Sequence, residues 1–152
     1  MRFSAVIAML WLFLLPGVAA AEQPWPALVK IGLAGTWGHA CNAPPSPSNW
    51  IITFSATANG GAQASSNRGE DTRLTIVDSA QVLTPTTIRL HLRYADPAWG
   101  ESNGFTFDVI NEIVARHSRT LQSTRGDGAV LIKEGLFVAN GQPSPSLEKC
   151  AN

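Results

Sequence analysis

The sequence predicts a mainly β protein, a single antiparallel meander closed into a barrel of about eight strands, with a β-sandwich as the alternative. Three observations predict it. Apolar and polar residues alternate with period two through several short segments, most clearly from Thr86 to Tyr94. Turn-forming pairs recur between those segments: Asn59-Gly60, Asp127-Gly128, Glu134-Gly135 and Asn140-Gly141. The chain has no internal repeat and no long helical pattern, yet 45% of its 152 residues are hydrophobic and only 14% charged. That is enough apolar surface to fill one core, and closing the sheet removes its exposed edges.

The elements follow in order. A short strand is expected around Gly35-Thr36-Trp37, then a Pro/Ser loop from Asn42 to Asn49. Trp50, Ile52 and Phe54 alternate, which points all three at the core. Asn59-Gly60 turns the chain into a weak polar strand, Ala62 to Ser66. Arg73 to Leu83 pairs with the strand ending at Tyr94 through Thr84-Pro85-Thr86-Thr87, because proline suits a turn better than a central strand. In that second strand Ile88, Leu90, Leu92 and Tyr94 share one face, and Arg89, His91 and Arg93 the other. Phe105, Phe107 and Val109 open the next segment. Residues 108–116 fit either a helix, with Val109, Ile110, Ile113 and Val114 as its stripe and Asp108 as its cap, or a strand returning through Ser118 to Thr124. The density of β-branched and aromatic residues favours the long hairpin. Further strands are expected at Ala129 to Lys133 and, last, Leu136 to Ala139. Asn140-Gly141 then ends the regular structure, and Pro143-Ser144-Pro145 leads out to Cys150.

Three regions divide the chain. Residues 1–21 read as a signal peptide: Arg2, an apolar run from Ala5 to Leu15, the breakers Pro16 and Gly17, and small residues from Val18 to Ala21. The run is shorter than the roughly 20 residues a membrane span takes. Residues 22–33 are a lead-in containing Gln23-Pro24-Trp25-Pro26, and residues 34–152 form the barrel domain. The expected product is periplasmic or secreted, monomeric, and off the membrane once the leader is cut. Export gives the two cysteines their meaning, since a lone pair in an oxidising compartment is most simply a disulfide. A Cys41–Cys150 bridge would tie the two ends of the domain together, worth about 4.7 kcal/mol at most in the loop-entropy treatment.

Zero formal net charge and a pI near 6.8 argue against a nucleic-acid partner. No phosphate loop or dinucleotide fingerprint is present, so no cofactor is expected. The three histidines are His39, His91 and His117. His39 and Cys41 would share a face of a strand, but a bridged cysteine is no ligand and no second pair completes a metal site. His91 reads as solvated strand surface and His117 as a turn residue. Nothing in the spacing enforces a Ser-His-Asp geometry, and the acids are scattered apart from Glu70-Asp71. No catalytic residues are expected, and a hydrolase built on His39 or His91 is the least favoured reading. Arg89, Arg93, Arg116, Arg119 and Arg125 read as an ordinary charged face. Trp99, in the loop from Asp96 to Gly104, is either a recognition anchor or a lid folded back over the barrel mouth.

Leu33-Ala34-Gly35-Thr36-Trp37 resembles the Gly-x-Trp opening of calycin-type barrels, a group that includes lipocalins, fatty-acid-binding proteins, avidins and bacterial metalloprotease inhibitors. The wider pattern runs through Cys41, Trp99-Gly100, Asn103-Gly104, Ser118 to Leu121, Gly141 to Pro145 and Cys150. It resembles small exported bacterial lipocalin-like proteins, an uncharacterised family. The resemblance implies that Trp37 plugs the barrel floor. The later lipocalin motifs and a C-terminal helix are missing from this chain, which puts a large ligand cavity in doubt. The functional expectation is a non-catalytic binding module for a small apolar ligand, with Trp99, Trp37 and Tyr94 as binding candidates. The alternative is a periplasmic protein–protein module, such as an inhibitor of a protease or a cell-wall enzyme.

Overall fold

The computed structural model describes residues 23–95 and 106–151, so residues 1–21, expected to be a leader, and Trp99 lie outside the described residues. A short helix, α1 (Pro24–Ile31), precedes ten strands: β1 (Gly35–Gly38), β2 (Ile51–Ala56), β3 (Ala62–Asn67), β4 (Thr72–Thr84), β5 (Thr87–Tyr94), β6 (Thr106–Val114), β7 (His117–Arg125), β8 (Val130–Lys133), β9 (Leu136–Phe137) and β10 (Ser146–Ala151). Strands β1 to β7 follow one another as an antiparallel meander. β10 pairs with both β7 and β1 and closes an eight-stranded barrel. β8 and β9 hang from the far half of β7 as a short hairpin outside the closed ring. Residues 108–116 are therefore strand and turn, not helix.

Register shows which residues fill the barrel. Trp37 pairs with Ile52, Phe54 with Ala64, Ala62 with Val77, and Leu90 with both Ala80 and Val109. The inward residues of β3 are small, Ala62 and Ala64, and sit beside the larger Phe54 on β2 and Val77 on β4. Leu28, Leu33, Trp37, Ile88 and Leu90 are the largest fully buried side chains. In β4 the extra residue Asp78 forms a bulge between Val77 and Ser79. The bulge shifts the inward parity by one and bends the strand, so that Val77 and Ala80 both reach the core. Asp78 itself turns outward and accepts two hydrogen bonds from Arg93, at 2.9 and 3.0 Å.

The turns sort to two ends of the barrel. Those at 57–61, 85–86 and 115–116 share an end with α1, whose N-cap residue Gln23 approaches Gly60. The loop 39–50 and the turn 68–71 lie at the other end. Proline at the start of α1 suits its first turn, where no backbone donor is lost from the hydrogen-bond ladder. Gly32 ends it in the left-handed region with φ of 82°. The N–H of Leu33 reaches Leu28 O at 2.9 Å and that of Gly32 reaches Val29 O at 3.0 Å, which satisfies the last carbonyls. Ala27 and Leu28 face the barrel and are completely buried, so α1 plugs that end.

The lead-in contains α1, packed against β4. Three expectations change. The strand expected from Leu136 to Ala139 stops at Phe137, where the chain turns and Gly141 N–H bonds back to Phe137 O at 2.8 Å. Regular structure does not end at Gly141, because Ser146–Ala151 is the strand that closes the barrel. Trp50 lies just before β2 and outside the core, its face stacked by Arg68 and its edge by His39. The Cys41–Cys150 disulfide is formed as expected, with a Cα–Cα separation of 5.1 Å across 109 residues of sequence.

Trp37 is only 1% exposed, and its indole N–H donates to Leu33 O at 2.8 Å, tying the floor of the barrel to the end of α1. Trp37→Ala should lower the unfolding free energy by about 3–5 kcal/mol, through lost burial and a cavity that the closed sheet cannot collapse to fill. Denaturant unfolding measures this; a loss below about 1 kcal/mol would mean that the side chain is not packed as described.

Candidate ligand groove and barrel rim

The apolar face of α1 leaves a gap on one side. Ala27 and Leu28 dock toward β4, while Trp25 and Val29, one helical turn apart, share a face directed at β1 and β2. Between that face and the two strands lies a groove of about 530 Å³, with Phe54, Ala34 and Gly35 on its far wall. A volume of this size falls in the range that small ligands occupy. Val29 is 52% exposed, so its side chain is open to whatever enters the groove.

The polar groups of the groove are few and fixed. Thr36 and Thr53 share a hydrogen bond between their hydroxyls at 3.1 Å. Lys149 sits opposite Trp37 in the β1–β10 register, so it points inward from β10. Its Nζ donates to Gly32 O at 3.0 Å and lies 5.5 Å from the centre of the Trp37 ring. An ammonium group carries three donors, so one hydrogen bond to a carbonyl leaves capacity for an acceptor in the groove. Trp37 thus serves as the platform under Lys149 and presents no exposed face of its own.

Tyr94 stands at the opposite end. Along β5 the inward residues change from fully buried Ile88 and Leu90 to half-buried Leu92 and Tyr94, so the packing loosens toward the rim. Tyr94 meets Phe107 edge-to-face, with ring centres 5.6 Å apart. Arg73 reaches the same place and donates from Nε to Asp71 Oδ2 at 2.8 Å. Its pKa is raised, first by the hydrogen bond to Tyr94 and then by the Asp71 carboxylate, against the opposing effect of desolvation. Trp37 and Tyr94 are not brought together into one site, and Trp99 falls outside the described residues.

The outer wall is charged and paired. Arg93 binds Asp78, Arg119 binds Glu112 at 2.8 Å, and Arg116 lies 3.9 Å from Glu148. His91 Nδ1 is 3.0 Å from Asp108 Oδ1 across β5 and β6. His39 faces the Trp50 ring, and His117 opens β7 in register with Glu148. No three potential metal-ligating side chains cluster among the described residues.

No known family, curated protein or solved structure matches the chain. The sequence reading passed over Trp25, Val29 and Lys149. The first two had a legible signal: Pro24 and Pro26 flanking Trp25, an apolar partner at i+4 in Val29, and Gly32 beyond mark a helix bounded at both ends.

One rim contact sets a measurable pKa. Asp127 accepts hydrogen bonds from Arg125 at 2.6 to 3.0 Å and from the N–H of Ala129 at 3.1 Å. The Arg125 bonds first, and the backbone donor second, lower its carboxyl to about 2. A folded-state pKa below the unfolded value stabilises the fold above about pH 4, and that contribution fades as pH falls toward 2. A carboxyl-detected NMR titration should place the midpoint near 2 and Arg125→Gln should raise it. An unshifted wild-type midpoint would rule out the clamp.

Proposed function

We propose that this protein is an exported, non-catalytic binding module of calycin type, holding a small apolar molecule in the groove beneath α1, with Lys149 receiving its polar or anionic end. The observation that carries this reading is the meeting of Trp25, Val29 and Phe54 with a single ammonium group in one groove of about 530 Å³. Apolar walls supply affinity through buried area, and one placed polar group fixes orientation. Export is supported by the leader-like residues 1–21 and by the Cys41–Cys150 bridge, which belongs to an oxidising compartment. Periplasmic or secreted location follows from the same reading. No helix among the described residues is long and apolar enough to cross a membrane.

Decanoate is a suitable probe because it joins an alkyl chain to one carboxylate. In a titration followed by NMR, shifts should concentrate at Trp25, Val29, Thr53 and Lys149. Val29→Glu places a charge in the groove from an exposed helical position, so it should leave folding intact and weaken binding by roughly tenfold or more. Decanol should bind less tightly than decanoate if Lys149 takes the head group. Equal binding by the wild type and Val29→Glu would refute the groove as the site.

A further inference from the structure

A second cleft lies at the opposite end of the barrel, of about 520 Å³, between Pro45 and Pro47 on one side and Arg68, Glu70 and Asp71 on the other. Both walls are held firmly. The Asn49 side chain is buried, accepts the N–H of Ala40 at 2.9 Å and donates to the carbonyls of Ala40, Ala43 and Pro44, which fixes the proline loop from within. Ser46 and Asn49 exchange backbone hydrogen bonds, both 3.0 Å long. On the other side Arg68 N–H bonds to Asp71 O at 2.9 Å, closing the β3–β4 turn. Gly69 adopts φ of +91°, and a Cβ there would come within 3.1 Å of Pro45 O, so the turn presses directly on the loop.

The charges in this cleft are what single it out. The Arg68 guanidinium carbon lies over the Trp50 ring, 3.6 Å from its centre, a cation–π contact that anchors the head group. Its Nε is buried and has no hydrogen-bond partner, a costly condition for a charged donor. Asp71 is engaged by Arg73. Glu70 forms no ion pair among the described residues, with Arg68 or any other cation, although both line the same cleft. A fixed cation and a separate carboxylate on one wall, with proline rings on the wall opposite, match a molecule that carries both charges.

We propose that this cleft binds a small zwitterion of the amino-acid or short-peptide class. The ligand's carboxylate meets Arg68, its ammonium group meets Glu70, and its aliphatic part rests against Pro45 and Pro47. The site is independent of the groove beneath α1, and either can fail without the other.

The test is an NMR titration of the disulfide-bonded protein with L-alanyl-L-alanine, its N-acetyl derivative and its C-terminal amide. Saturable shifts confined to residues 44–50 and 67–71 are expected for the uncapped dipeptide. Each cap should weaken binding roughly threefold to tenfold, as expected for loss of one partly solvated ion pair. Glu70→Gln, an exposed substitution that should leave the fold intact, should abolish the preference for the free amine while retaining that for the free carboxylate. Arg68→Gln should do the reverse. The absence of a saturable shift at tens of millimolar dipeptide, or equal binding by capped and uncapped forms, would overturn the proposal.

Discussion

The fold depends on one strand finding two partners. β10 lies between β7 and β1, and without it the meander would be an open, curved sheet with an unpaired edge at each of those strands. Bringing residues 146–151 back to residues 35–38 closes a loop of about a hundred residues, an entropic cost that a few strand hydrogen bonds offset poorly. The Cys41–Cys150 disulfide reduces that cost by joining the same two regions covalently in the unfolded chain as well. The remaining contacts of β10 point the same way. Leu147 packs on the core, Lys149 reaches Gly32 O, and Arg116 donates to the Lys149 carbonyl. Closure and the floor of the barrel are thereby one structure, since Lys149 and Trp37 both hold the segment that follows α1.

That coupling accounts for where binding chemistry can be placed. A side chain directed inward from β10 brings an ammonium group to the margin of an otherwise apolar groove, because α1 docks toward β4 and leaves β1 and β2 uncovered. At the other end the long β1–β2 connection is held at its base by the disulfide and internally by Asn49. A loop fixed in this manner can oppose the β3–β4 turn, which carries Arg68 and Glu70, at constant spacing. Each recess owes its shape to a contact outside it, and a rigid barrel is what transmits that constraint.

Much of the fold was legible because period-two alternation survives wherever a strand is regular. The strands around Ile52, Ile88 and Phe107 could be read in this way, and the disulfide from there being two cysteines in the chain. The failures have local physical causes. Lys149 occupies an inward position, so β10 reads as a polar tail after Pro143 and Pro145 when it is the closing strand. The β6–β7 turn is Ala115-Arg116, with Ala115 at φ of 53°, and no glycine or asparagine announces it, which left residues 108–116 open to a helical reading. The Asp78 bulge changes parity in mid-strand, and no alternation pattern records such a change in advance. Trp50 follows the parity of Ile52 but precedes the strand, and stacking by Arg68 satisfies it outside the core. The binding candidates chosen from sequence were aromatic residues. The polar partners that give the two recesses their character, Lys149, Arg68 and Glu70, are ordinary charged residues until the fold assembles them.

Amide hydrogen exchange in the disulfide-bonded protein, read residue by residue by NMR, tests barrel closure most directly. If β10 is a central strand of a closed barrel, its pairing amides should exchange about as slowly as those around Leu90 in β5, because both would open only with the whole domain. Exchange in residues 146–151 as fast as that of the exposed turn at 126–128 would show that the C-terminal segment is a tethered tail and that the sheet is open.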